Sequence, residues 1–207
     1  MRTRRTLGIR AVDILRTIVA LLTLALLTSV AAAGAPENGW AATLYVAEIS
    51  SEDGWEDVFF NPLFSSYVDD HLFVAALSKR YALLRDGALQ LEAEGQVAYV
   101  CSDQHYWQLN AAPIVMRWQQ FPWNHKVATS AAFGLGLSYA TELPELEVQL
   151  EGASKQLLVY WVAEVTAGPP EASWALTLRL HHRSVAYGLM GDEGGMNALG
   201  LGLRYMF

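Results

Sequence analysis

The sequence predicts an all-β protein, an eight-stranded antiparallel transmembrane β-barrel. Three observations carry that prediction. The chain opens on a basic segment followed by an uncharged apolar one, the pattern of an export signal. The rest holds no second stretch long and apolar enough for a spanning helix, yet it is rich in Leu, Ala, Val, Gly, Trp and Tyr. Its apolar residues also alternate with small or charged ones at a period of two. A closed barrel reconciles these features, since only helices and edge-free sheets satisfy every backbone group inside lipid.

The opening "MRTRRTLGIRAVDILR" carries five arginines against one aspartate, and "TIVALLTLALLTSVAAAGA" follows without a charge. With small residues at Ala31, Ala33 and Ala35, residues 1–33 read as a secretory signal peptide, cleaved between Ala33 and Pro36, ahead of a barrel over 34–207. A retained membrane anchor is the alternative; the modest apolar length and the crowded alanines favour removal. Past residue 33 the chain has nine basic and twenty acidic residues, a net charge of −11. That excess argues against nucleic acid as a partner, because phosphate binding needs a concentrated positive surface. Cys101 is the single cysteine, so there is no internal disulfide and no C-x-x-C zinc or redox signal.

The alternation marks strands near 40–50, 67–83, 86–102, 105–118, 126–141, 155–168, 173–189 and 196–207. The first is defined least sharply by its pattern. In the third, Leu89, Leu91, Ala93, Val97 and Tyr99 share one face, with Gln90, Glu92, Glu94 and Gln96 on the other. Carboxylates at 92 and 94 are costly toward lipid and tolerable in a polar lumen. The fifth sets Val127, Phe133, Leu135, Leu137 and Tyr139 against Ser130, Gly134, Gly136 and Ser138. Small residues opposite bulky ones suit a narrow barrel filled by side chains. In the eighth, Leu199, Leu201, Leu203, Tyr205 and Phe207 oppose Ala198, Gly200, Gly202, Arg204 and Met206. Between strands, "ELPELEVQLEGASK" is long and acidic, as an extracellular loop would be, and "TAGPPEA" suits a short periplasmic turn. Trp107, Trp118, Trp123 and Trp161 suit interface belts. Isolated His71 and His105 fit loop or interface roles better than metal binding, and no cofactor is implied.

The seventh strand concentrates polar chemistry. Trp174, Leu176, Leu178, Leu180, His182, Ser184 and Ala186 form its lipid-facing parity; Thr177, Arg179, His181 and Arg183 form the lumenal one. The arginines are expected to neutralise Glu92, Glu94 or Glu164, with His181 joining that network. His182 and Ser184, two residues apart on one face and about 6.7 Å apart at Cα, have the types by which an imidazole makes a hydroxyl nucleophilic. An inert polar pair at the membrane rim is the bland alternative.

"FPWN" (121–124), "GLSYATELPELE" (136–147), "HHRSVAYGL" (181–189) and "GLGLRYMF" (200–207) resemble the lipid A 3-O-deacylase family and related acyloxyacyl hydrolase-like outer-membrane proteins. The likeness spans most of residues 54–207. It implies an eight-stranded outer-membrane barrel that releases an ester-linked acyl chain from lipid A or another outer-membrane lipid, through a His-x-Ser pair on its outer wall. His182 and Ser184 carry that pair here. The terminal aromatic strand resembles the signal read by the barrel assembly machinery, a second expected partner. Two positions depart from the family: Val185 stands where an asparagine assists the oxyanion site, and the strand that supplies a glutamate to orient the histidine has Met196 and Asn197. Asn197 has the outward parity and is the expected substitute; Glu193 and Asp192 are acidic alternatives, and an amide near Ser184 or Gly188 is the expected oxyanion donor. Two other classes compete. A non-catalytic structural or binding barrel would leave the pair idle. A soluble lipocalin-like barrel would turn the leucine stripes inward and Glu92 and Glu94 outward.

Overall fold

The computed structural model describes residues 38–51, 54–101 and 103–207; the leader predicted over 1–33 lies outside them. Among the described residues eight strands form one closed antiparallel barrel: β1 (Trp40–Ser50), β2 (Tyr67–Leu84), β3 (Leu89–Cys101), β4 (His105–Trp118), β5 (Ala128–Ala140), β6 (Leu157–Gly168), β7 (Trp174–Ser184) and β8 (Gly195–Met206). Each strand pairs with its sequence neighbour, and β8 closes on β1 through partners such as Leu44 and Leu203. Closure removes the sheet edges that would otherwise be left unpaired in lipid.

The alternation places the side chains as the parity requires. Leu77, Val97, Leu109, Phe133, Leu135, Leu137, Leu176 and Leu201 are exposed on the outer wall, while Glu92, Glu94, Gln96, Glu164, Arg117, Arg179 and Arg204 are buried in the lumen. An apolar exterior around a charged interior inverts a soluble barrel and fits lipid outside. The lipocalin-like alternative is thereby excluded. Trp40, Tyr81, Trp118, Tyr205 and Phe207 ring one end of the outer wall, and Trp107 and Tyr139 stand near the other, as two aromatic girdles would.

Among the described residues, buried ion pairs cross the lumen at mid-depth. Arg179 bridges Glu94 (2.8 Å) and Glu164 (2.6 Å), Arg117 bridges Glu164 (2.7 Å) and Glu92 (3.0 Å), and Arg204 reaches Glu92 (2.9 Å). Three cations thus meet three anions. His181 stands in a neutral layer above them, with Nδ1 3.0 Å from the Tyr45 hydroxyl and Nε2 3.1 Å from Gln108 Oε1. Tyr45 and Gln96 link it to Glu94. Arg183 corrects the expectation for its charge: it pairs with none of the lumenal glutamates. It lies one pleat nearer the rim, where Glu147 approaches its Nε to 3.2 Å.

Glu147 belongs to a feature that strand periodicity missed. The loops at this end carry two short helices, α1 (Trp55–Phe60) between β1 and β2 and α2 (Glu145–Glu151) between β5 and β6. The opposite end has short turns and the Phe207 terminus. Barrels carry their longer loops outside the cell, which makes the helical end extracellular. "TAGPPEA" and "ELPELEVQLEGASK" accordingly fall at opposite ends. β7 stops at Ser184, short of the expected 189, because Ala186 and Tyr187 take left-handed backbone angles (φ 49° and 56°).

Candidate active site

The strand register brings the polar residues of the outer wall together. His182 lies between Trp161 on β6 and Asn197 on β8, its direct cross-strand partners. Ser184 lies one pleat nearer the rim, between Val159 and Gly195. His182 Nδ1 is 2.6 Å from Asn197 Oδ1. With the carbonyl oxygen of Asn197 as acceptor, Nδ1 carries the proton and Nε2 keeps its lone pair. The Trp161 ring, 4.4 Å away between centroids, holds the imidazole from its other side. Packing and a hydrogen bond therefore fix both tautomer and orientation, as a catalytic base requires.

Ser184 is not joined to His182 by a hydrogen bond. Its Oγ instead accepts the Ala186 amide at 3.3 Å. The turn after it is tightly folded: Val185 donates to Gly194 O (3.2 Å), Leu189 to Ala186 O (3.3 Å) and Met190 to Val185 O (3.0 Å). The Tyr187 and Gly188 amides have no backbone acceptor among the described residues. Ala186 and Tyr187 take left-handed angles in succession and Gly188 follows at φ 92°, the same sequence of angles as at Arg85, Asp86 and Gly87 in the β2–β3 turn.

The acidic alternative in the turn is placed elsewhere. The Glu193 carboxylate lies over Gly152, 2.9 Å from where a Cβ on that glycine would stand. It thus packs on the end of α2, not on His182. Among the described residues no cluster of three or more His, Cys, Asp or Glu has metal-holding geometry.

The structure also brings in a group that sequence reading missed. α1 contacts β7 and β8 from outside the barrel. Leu180 and Asn197 share the outward parity of Leu176 and Leu201, yet Leu180 is 0% exposed against 43% for Leu176. Trp55 meets Trp161 edge-on at 5.3 Å, and Val58 of α1 is buried. α1 thus roofs the strand surface beside His182. Nothing in the alternation signals this, since a six-residue helix inside a loop leaves no periodic trace.

No family model and no curated protein matches this chain. Among solved structures, the crystal structure of the outer membrane enzyme PagL superposes with a TM-score of 0.58 at 12% sequence identity, over 81% of this chain and 99% of that one. The fold is that of an eight-stranded outer-membrane barrel.

Proposed function

We infer that this protein is an outer-membrane lipid-modifying esterase, resembling PagL and the lipid A 3-O-deacylases in chemistry as in fold, with Ser184 as nucleophile and His182 as base. The 2.6 Å contact of His182 Nδ1 with Asn197 Oδ1, on the lipid-facing wall and one pleat from the serine, carries this reading. With Nδ1–H donated to Asn197, Nε2 is the basic nitrogen. It takes the Ser184 proton as Oγ attacks the carbonyl of an acyl ester lying along β6–β8. Asn197 then plays the orienting part that an asparagine plays in other nucleophile–histidine pairs. The tetrahedral oxyanion finds donors in the Tyr187 and Gly188 amides, which replace the side chain that Val185 cannot supply. Collapse returns the proton from His182 to the leaving alkoxide. Water then repeats the cycle and releases the fatty acid from Ser184.

Mass spectrometry of lipid A from cells expressing the protein tests this. The expected result is loss of one acyl chain with wild type and none with Ser184→Ala or His182→Ala at equal barrel yield. Identical lipid profiles for wild type and both variants would overturn the assignment.

One observation favours a second reading. The Ser184 hydroxyl is engaged by the Ala186 amide instead of His182, as in a barrel whose polar pair is structural. That reading expects unchanged lipid and a loss of stability in the Asn197 variants below.

A further inference from the structure

The β1–β2 loop is unusual in what it exposes. After α1 it turns through Asn61 and Pro62 and leaves Leu63 and Phe64 91% and 89% exposed, with Phe60 beside them also open. Tyr67 Oη donates to Pro62 O (3.1 Å), and Ser65 Oγ donates to Asp57 O (3.0 Å). The loop therefore holds its shape while its largest apolar side chains point away from the protein. Its other side is committed: Val58 is buried, and Trp55 packs on Trp161, whose ring lies on His182. One short segment thus roofs the wall beside the imidazole and presents three bulky hydrophobes outward. Across the site, the β7–β8 turn that follows Ser184 exposes Tyr187 and Leu189 in the same manner. Two structured loops with apolar tips flank one serine.

Apolar groups this exposed are unfavourable in water and continue the lipid-facing surface of β6–β8 beyond the strand ends. Their occupant follows from where they stand. The segment is packed against β7 and β8 of a membrane barrel, so the apolar phase within its reach is the acyl region of the surrounding leaflet.

We propose that the loop from Trp55 to Phe64 is an acyl-chain-binding element: Phe60, Leu63 and Phe64 insert into the leaflet, and α1 walls the cleft in which a lipid's acyl chain is led past Trp161 to Ser184. The guiding role rests on the esterase reading; the insertion stands without it. It makes selection of the ester a matter of chain geometry, with contacts remote from the bond held in register by α1.

Spin labels test the insertion independently of turnover. In a Cys101→Ser background, Phe60→Cys, Leu63→Cys and Phe64→Cys are labelled singly in the full barrel, in vesicles of phosphatidylethanolamine and phosphatidylglycerol. Power saturation then compares collisions with oxygen and with a water-soluble nickel chelate. Labels at Leu201→Cys on the belt and Glu145→Cys on α2 set the lipid and water limits. The proposal expects all three loop labels near the Leu201 limit; values at the Glu145 limit overturn it. A second measurement reads the guiding role. In Phe60→Ser/Leu63→Ser/Phe64→Ser, the ratio of membrane-lipid ester turnover to that of a water-soluble short-chain ester falls about tenfold, as loss of one good apolar contact in the transition state would give. An unchanged ratio overturns the guiding role. A wild type that cleaves neither ester removes the esterase reading alone, because the spin-label result still decides the insertion.

Discussion

At the residue scale the decisive pair is His182 and Asn197. If Asn197 fixes the tautomer, Asn197→Leu removes the acceptor while keeping the apolar roof of α1, and turnover falls by about two orders of magnitude or more. Asn197→Asp offers an acceptor at the same place and retains most of it. The measurement is acyl release from purified lipid substrate, with barrel yield as control; equal activity in wild type and Asn197→Leu would deny the residue its orienting role. The lumenal charges answer to a different balance. Glu164 serves both Arg117 and Arg179, so Glu164→Ala takes one of two carboxylate partners from each buried guanidinium and leaves the layer one anion short. Breaking a buried pair costs about 3–5 kcal/mol, which is read as a lower urea midpoint by tryptophan fluorescence in vesicles.

The wall that Asn197 occupies was legible from sequence, because a two-residue period assigns every strand side chain to one face; its pairing with His182 was implied only by the resemblance, and the β7–β8 register sets the two side by side. The lumenal partners of Arg179 were legible for the same reason: Glu94 and Glu164 share its parity. Glu147 was not, since a loop residue has no parity and only the folded α2 carries it down onto Arg183. Glu193, the acidic alternative, was not placeable from sequence for the same reason: it lies in the loop before β8, and its carboxylate stands over Gly152. Its place over Gly152 follows from the tight turn at 185–190, which directs the returning chain toward α2.

At the scale of elements, closure and the α2 latch carry separate predictions. Gly202 on β8 faces β1 so closely that a Cβ would lie 2.1 Å from the Leu44 carbonyl oxygen, and at Gly136 it would lie 1.7 Å from Ala111 O, beside the irregular β4–β5 register between Ala111 and Ile114. Both contacts are with backbone, which cannot swing aside. Gly202→Ala and Gly136→Ala are therefore expected to lose about 1–3 kcal/mol each, as lower urea midpoints; no change in either would mean the strands can separate freely at those points. The latch is set by electrostatics. Burial pushes the Glu147 carboxyl above its ordinary value of 4.5, with the Arg183 guanidinium only partly opposing it. The native state therefore binds this proton more tightly than the unfolded chain does. Its contribution to stability is present below the unfolded value and is lost as pH rises through the native one. Glu147→Gln removes that titration, so the urea midpoint of the variant gains on wild type as pH rises above 4.5. Parallel midpoints across that range would show that Glu147 is not linked to folding.

At the scale of the whole molecule, the question is whether so small a barrel conducts. From the periplasmic end a vestibule of about 220 Å³ opens among Arg80, Gln90, Asn124 and Thr166 and ends at Glu92, Arg117 and Arg204. Above it the ion-pair layer spans the bore, then Tyr45, His181 and Gln108 fill the next level. Arg183 occupies the outer end, donating to the carbonyls of Lys155 (2.7 Å) and Gln156 (3.2 Å) while α2 lies against it through Glu147. An ion would have to part the five interlocked ion pairs of three arginines and three glutamates and then displace a hydrogen-bonded layer in a low-dielectric bore, which few thermal fluctuations supply. The purified barrel in a planar bilayer is therefore expected to show no unitary current steps, while an Arg179→Ala/Glu164→Ala/Glu94→Ala variant, with the centre of that layer removed, admits water and conducts intermittently. Porin-like steps from wild type would mean that the interior is not packed as described, and the chemistry assigned to the outer wall would lose the rigid scaffold that holds His182 against Asn197.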